Sequence, residues 1–222
     1  MGSETIRNRQ YGADYQTSRK EMTRVLKPFD LQGLFIFLCI KVALVTDPCC
    51  GTGTLLIEAA FLAAHRAPGV ARPFAMEDFY FCRSLPFSSL RRQVAGEQRN
   101  EDIPYIGGSD LDPQAILLAS RHVKQAELSN HIHLSVQPLQ SLQLPITGGV
   151  FLCNPPYGER LSDQASCRKL YRELCLLKDR HPSWSLCAIS SDPSFERFFG
   201  RRADKKRRLY NGRLECTDYI YL

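Results

Sequence analysis

Two hundred and twenty-two residues with 44% hydrophobic content suffice to fill the core of one α/β domain. A net charge of +6 and a pI near 8.9 suit a polyanionic partner, although many cytosolic enzymes are as basic. No apolar run reaches the length of a membrane span, because Lys41 interrupts the stretch from Gly33 to Val45, and the polar start Met1-Gly2-Ser3-Glu4 is no signal peptide.

In chain order, residues Thr5 to Lys27 are polar and basic, with a helix-like segment from Lys20 to Leu26. The apolar stretch Leu31 to Val45 is split into a helix and, after Lys41, a strand Val42–Val45. Thr54 to Arg66 reads as a helix with an apolar face of Leu55, Leu56, Ala59, Ala60 and Ala63, ended by Pro68-Gly69. Arg72 to Asp102 is a connecting subregion with one short helix. Tyr105 to Asp110 is a second strand, and Asp112-Pro113 opens a helix as N-cap and first helical residue. Strands follow at Ile132–Val136, Gly149–Cys153 and Trp184–Ser190, with a helix Leu161–Lys178 among them. The chain closes on a hairpin, Asn211-Gly212 turning between Lys205–Tyr210 and Arg213–Leu222. Strands alternating with helices before an antiparallel hairpin predict an α/β, doubly wound, Rossmann-like mixed sheet. Residues 1–30 are expected to form a polar, helical extension, and residues 31–222 the Rossmann-like domain.

The nine cysteines show no CxxC pair and no Cys/His ligand ladder, so no metal site is expected. Cys39, Cys153 and Cys187 lie in apolar runs, and the absence of a secretory signal points to a reducing, cytoplasmic setting. His131 and His133 alternate along a strand and are expected to face solvent.

Two motifs carry the chemistry, each after an apolar strand. Asp47-Pro48-Cys49-Cys50-Gly51-Thr52-Gly53-Thr54 follows the first, and Asn154-Pro155-Pro156-Tyr157 follows the strand Gly149–Cys153. Gly51 and Gly53 permit a sharp turn and close approach of backbone to ligand, and Thr54 opens a helix whose N–H groups face the same cleft. Asp47 is placed to accept from an ammonium, and Asp110, ending the second strand, from ribose hydroxyls. The plainer account, a tight strand–helix turn with Asp110 helping to cap a helix, holds for the glycines alone about as well. The later motif tips the balance to an S-adenosylmethionine site. Gly-x-Gly without a third glycine disfavours a dinucleotide, and the missing Gly-Lys-Ser/Thr excludes a P-loop.

An exocyclic base amine is a weak nucleophile, because its lone pair is delocalised into the ring. The Asn154 side-chain oxygen and the Pro155 carbonyl can accept from both of its N–H groups, Pro155 and Pro156 stiffen the loop, and Tyr157 offers a ring for an extruded base. Activated methyl donors need no metal. The tetrad identifies an amino group without choosing the base, so guanine N2 and adenine N6 both remain open, as does a vestigial fold that only binds RNA. The basic run Arg201, Arg202, Lys205, Lys206, Arg207 and Arg208 with Tyr210 suits a nucleic-acid backbone or equally a charged sheet edge.

Asp47–Thr54, Arg66-Ala67-Pro68-Gly69, Gly108-Ser109-Asp110, Asn154 through Arg160, and Arg202-Ala203-Asp204-Lys205 through Leu209-Tyr210-Asn211-Gly212 resemble the catalytic domain of bacterial large-subunit ribosomal RNA guanine-N2 methyltransferases. Many of those proteins carry the older label of N6-adenine-specific DNA methylase. The resemblance, which runs from about Lys20 onward, implies a class I fold, S-adenosylmethionine and methylation of a guanine amino group in structured, ribosomal RNA. It implies cofactor contacts at Asp47, Pro48, Cys49, Gly51, Gly53, Thr54, Asp110, Leu111 and Gln137, and substrate contacts at Arg160, Lys205, Lys206, Arg207 and Arg208. Gln137 stands where the family has an acidic residue for the adenine amino group, so its side-chain oxygen is the expected substitute. The family's N-terminal RNA-binding THUMP domain does not fit in this length, so an excised or shortened catalytic domain that grips RNA weakly is expected. Oligomeric state is not legible.

Overall fold

The computed structural model describes residues 44–67, 70, 72–144, 148–156, 161–211 and 214–222. The expected helix at Lys20–Leu26, the split of Leu31–Val45, the Pro68-Gly69 stop, Tyr157 and Arg160 lie wholly or mainly outside them. The described residues divide into two compact units, one of residues 66–98 and one of residues 44–65 with 99–222.

The larger unit is a seven-stranded sheet of order β3-β2-β1-β4-β5-β7-β6. Its strands are β1 (Val45–Asp47), β2 (Ile106–Asp110), β3 (Ile132–Val136), β4 (Gly149–Cys153), β5 (Trp184–Ser190), β6 (Lys205–Asn211) and β7 (Leu214–Tyr221). The first five run parallel, and β7 is antiparallel to both β5 and β6. Helices α1 (Thr54–Ala63), α3 (Pro113–Gln125), α4 (Leu161–Arg180) and α5 (Phe195–Phe199) belong to the same unit.

Buried strands on both faces explain the uninterrupted apolar runs. Val150 and Leu152 join Leu56, Ala59 and Ala60 of α1 and Ile116 and Val123 of α3 in one core. Their neighbours Phe151 and Cys153 turn to the other side, onto Cys167, Tyr171, Leu174 and Leu177 of α4 and Phe195 and Phe199 of α5. The second core is aromatic: Phe151 meets Trp184 at 4.8 Å between centroids, and Phe199 meets Tyr221 at 4.1 Å.

Three expected strands, Ile132–Val136, Gly149–Cys153 and Trp184–Ser190, have the observed bounds. The first strand lies further on than expected, ending at Asp47 rather than Val45. Its parallel pairing with β2 continues to Asp47↔Gly108, so the ladder carries the strand into the polar motif. The helix α1 stops at Ala63, three residues short of Arg66, where His65 takes a left-handed φ of 54°. Helix α4 extends two residues past the expected Lys178 to Arg180. Asn211, expected in the hairpin turn, instead ends β6 and pairs with Leu214, and Gly212 lies outside the described residues. His133 is exposed and stacks on Tyr105 at 5.1 Å, whereas His131 is half-buried and precedes the strand.

The smaller unit holds 3-10 turns at Ala75–Asp78 and Tyr80–Cys82 and one α-helix, α2 (Phe87–Ala95), as expected of the connecting subregion. Glu77 organises it by accepting from the Phe74 N–H at 2.7 Å and pairing with Arg91.

Candidate functional site

The sheet reverses its winding between β1 and β4, which are neighbours while β2 and β5 lie on opposite sides of them. Open α/β sheets bind ligands at such a point, outside the carboxyl ends of the strands. Both sequence motifs leave from there, one from β1 and one from β4.

Asp47 ends β1 with its side chain 2% exposed, its Oδ1 accepting from the Cys49 N–H at 3.0 Å. Burial pushes this carboxyl up to about 8, the Cys49 hydrogen bond pulls it down, and the neighbouring Asp110 charge raises it again. A buried acid in this condition favours a cation beside it. Gly51 and Gly53 both take positive φ, 51° and 79°. A Cβ on Gly53 would also sit 3.3 Å from the Ala119 Cβ, so the turn and the packing of α3 both require glycine. The Gly53 carbonyl starts α1 by accepting from the Ile57 N–H.

Asp110 reaches across to this loop. Its Oδ2 accepts from the Gly51 N–H at 2.9 Å and its Oδ1 from the Asp112 N–H at 3.0 Å. It is Asp112 that caps α3, accepting from the Gln114 N–H at 2.8 Å. Asp110 therefore locks β2 to the glycine turn, and each of its oxygens keeps lone-pair capacity for another donor. Leu111 follows, largely exposed at the end of β2. The Gln137 N–H donates to the Asp110 carbonyl at 3.0 Å, placing the residue after β3 beside the same edge, while its side-chain nitrogen donates to Ser135. Thr54 is exposed at the start of α1.

On the neighbouring strand end, Asn154 is exposed, Pro155 buried and Pro156 exposed. The Tyr171 hydroxyl of α4 donates to the Pro156 carbonyl at 3.1 Å. His122 of α3 similarly contacts the Thr52 carbonyl through Nδ1 at 3.0 Å. Neither tie was read from sequence. Tyr171 belongs to the buried stripe Cys167, Tyr171, Leu174, which marks a core position, but nothing local names Pro156 as its partner.

The basic run is arranged differently. Register pairs Arg208 with Thr217 and Thr217 with Ser190, so Arg208 stands level with the carboxyl end of β5. Yet β6 is the outermost strand, three positions from β4. Lys206 pairs with Glu196 at 2.9 Å and Arg208 with Glu215 at 3.2 Å, while Arg207 lies opposite the buried Asp218.

The cysteines around the loop are held in the thiol form by their surroundings. Burial pushes the Cys49, Cys50 and Cys153 thiols up, and no group of three or more His, Cys, Asp or Glu suited to a metal occurs among the described residues.

Residues 43–220 match the family described as RMKL-like methyltransferase domain. The chain belongs to this family. The ribosomal RNA large subunit methyltransferase K/L of Desulfotalea psychrophila is 35% identical over 77% of this chain and 24% of its own length. YpsC of Bacillus subtilis, a proposed RNA methyltransferase, is 34% identical over 79% of this chain and 46% of its own. The chain thus spans between a quarter and a half of these relatives. Among solved structures, SMU.472, a proposed methyltransferase complexed with SAH, superposes with a TM-score of 0.77 at 31% identity, covering 86% of this chain and 52% of that one. A Listeria monocytogenes protein assigned from its sequence as an N6-adenine-specific DNA methylase gives 0.76 at 30% identity over 88% and 52%. The fold is accordingly that of class I methyltransferases, as expected from the sequence.

Proposed function

We propose that this chain is an S-adenosylmethionine-dependent methyltransferase acting on an exocyclic amino group in RNA, with guanine N2 of ribosomal RNA as the target. The observation that carries the reading is the buried, cation-seeking Asp47 at the tip of β1, one strand from Asn154 at the tip of β4. Adjacent strands lie about 5 Å apart, so a ligand held at the first tip adjoins the second. The names of the K/L relatives support RNA, and SMU.472 with its bound SAH supports the cofactor. The methyltransferase domain is assigned residues 31–222, and residues 1–30 an extension before it.

The donor set fits S-adenosylmethionine. Asp47 would hold the ammonium, with Pro48 and Cys49 beside it. Asp110 would take the ribose hydroxyls, and Leu111 and Gln137 would flank the adenine. Gly51 and Gly53 would let the backbone approach, and the N–H groups from Thr54 onward would receive the cofactor's carboxylate. When bound, the cofactor supplies a methyl group activated on a sulfonium. Asn154 and the Pro155 carbonyl accept the two N–H groups of the target amine and turn its lone pair toward the donor. These contacts strengthen as positive charge develops on nitrogen. Pro156, clamped by Tyr171, keeps the acceptors convergent, Tyr157 supports the extruded base, and Arg160 and the Lys205–Arg208 run meet phosphates.

The Listeria relative favours a second reading, N6-adenine methylation of DNA. Incubating the protein with labelled donor and synthetic RNA or DNA, then analysing nucleosides, separates the two. We expect N2-methylguanosine from RNA. Methyladenine in DNA would replace the reading, and failure to bind S-adenosylmethionine in calorimetry would end it. Asn154→Ala is expected to lower turnover by about a hundredfold or more with cofactor affinity nearly unchanged.

A further inference from the structure

Helices α4 and α5 gather positive charge that the site described above does not use. The Arg168 guanidinium carbon lies 4.6 Å from the centroid of the Phe198 ring, that of Arg197 5.7 Å and that of Arg172 5.8 Å. One ring therefore confines three permanent charges to a sphere of 5.8 Å radius. Such separations are comparable with the Debye length of about 8 Å at physiological ionic strength, so salt only partly relieves their repulsion. The aromatic face offsets some of it, since a cation over a phenyl ring gains about 0.5–1 kcal/mol at an exposed site.

No carboxylate among the described residues forms an ion pair with any of the three. Among the described residues, Arg168 donates to the Gln164 side-chain oxygen, at 3.4 Å. Glu173, next to Arg172, pairs with Lys169 at 3.8 Å. Glu196, next to Arg197, is taken by Lys206 at 2.9 Å and by the Ala203 N–H at 2.8 Å. All three arginines are exposed.

The packing fixes where this charge stands. Phe195 and Phe199 are buried one turn apart on α5, which leaves Arg197 exposed on its outer side, while Phe198 is half-buried against the edge of the same core. Arg168 and Arg172 are four residues apart on α4 and share one face. Tyr171 lies between them in sequence, meets Phe195 at 4.7 Å and donates to the Pro156 carbonyl. The arginines are thus carried by the helix that clamps the loop after β4 and by the short helix packed against it.

We infer that Arg168, Arg172 and Arg197, set around Phe198, form a binding site for the phosphodiester backbone of the RNA substrate, at a fixed offset from Asn154. The inference rests on the RNA reading above. Guanidinium groups suit the role because their planar donor forks match phosphate oxygens in pairs and stay charged at any working pH. The site positions RNA without reading its sequence.

The test measures binding of a labelled RNA hairpin across a range of salt concentrations. Replacing all three arginines by Gln should weaken binding at least tenfold at low salt. It should also flatten the plot of log affinity against log salt by about 2, since each single-strand phosphate contact contributes about 0.7. Changing all three to Lys should preserve the slope while weakening binding, because charge remains and the fork is lost. Calorimetry with S-adenosylmethionine reports whether each variant is folded. Should the triple Gln variant fail that check, the single variants carry the test, each expected to lower the slope by about 0.7. Unchanged slope and affinity in folded variants overturn the site. So does displacement of the RNA by polyglutamate as effectively as by unlabelled RNA of equal charge. A parent protein that binds RNA through these arginines but transfers no methyl group would sink the proposed activity and leave the site standing.

Discussion

Asp47 concentrates the chemistry of the cofactor loop in one side chain. With almost no solvent and one backbone donor, it is pushed up to about 8 and is mainly protonated at neutral pH in the free protein. A ligand bearing a positive charge at this position binds the carboxylate form, so binding must release a proton when the pH is below that value. The sign follows directly: affinity rises as pH increases from 6 to 8, by up to about tenfold per unit, and levels off above. Calorimetry in buffers of different ionisation enthalpy should record proton release at pH 7, and Asp47→Asn should abolish the pH dependence. Affinity that stays flat from pH 6 to 8 in the parent would remove Asp47 from contact with the cation. Its location was legible from sequence, because an acid after an apolar run followed by glycines marks a strand end. Its burial was not, nor was the second role of Asp110, whose bond to the Gly51 N–H joins residues 59 apart.

At the level of elements, strands buried on both faces were the easiest to read. Val150-Phe151-Leu152-Cys153 offers apolar side chains to two cores at once, and no other local structure uses such a run as well. Helix α5 went unseen because five residues, Phe195-Glu196-Arg197-Phe198-Phe199, are too few to show a period, and its form depends on Phe195 and Phe199 docking onto Tyr219 and Tyr221. The insertion of β7 between β5 and β6 was equally hidden, since it lies in long-range pairing and not in the hairpin itself. What these elements contribute to function can be tested at Tyr171. Its ring fills the core between α4 and α5, and its hydroxyl holds the Pro156 carbonyl. Tyr171→Phe keeps the ring and loses the tie, so the protein should stay folded, with stability lower by about 1 kcal/mol. The loop after β4 should then hold its acceptors less closely, lowering turnover about tenfold with cofactor affinity unchanged. Full turnover in this variant would show that the prolines alone fix the loop.

Across the whole chain, the net charge of +6 matters less than where its cations stand and what already neutralises them. Strand β6 carries Lys205 and Arg207 on one face and Lys206 and Arg208 on the other, by the two-residue period of a strand. The second pair is matched by Glu196 and Glu215. Such exposed pairs are worth about 0–1 kcal/mol and yield to a phosphate readily, but the displaced carboxylate stays nearby and repels it. Of the first pair, Arg207 lies opposite Asp218, which burial pushes up to about 7 against the pull of Arg207, so its opposing charge is incomplete near neutral pH, and Lys205 forms no ion pair among the described residues. The two faces should therefore contribute unequally to RNA binding. Lys205→Gln with Arg207→Gln should flatten the salt dependence of RNA affinity by about 1.4, two single-strand contacts' worth. Lys206→Gln with Arg208→Gln should flatten it by less than half as much. Filter binding of one RNA hairpin to both double variants, at four salt concentrations, gives the comparison. Equal slopes for the two variants would mean that β6 acts only as a diffuse positive edge. A larger loss from the Lys206 and Arg208 variant would place the RNA on the opposite face of the strand.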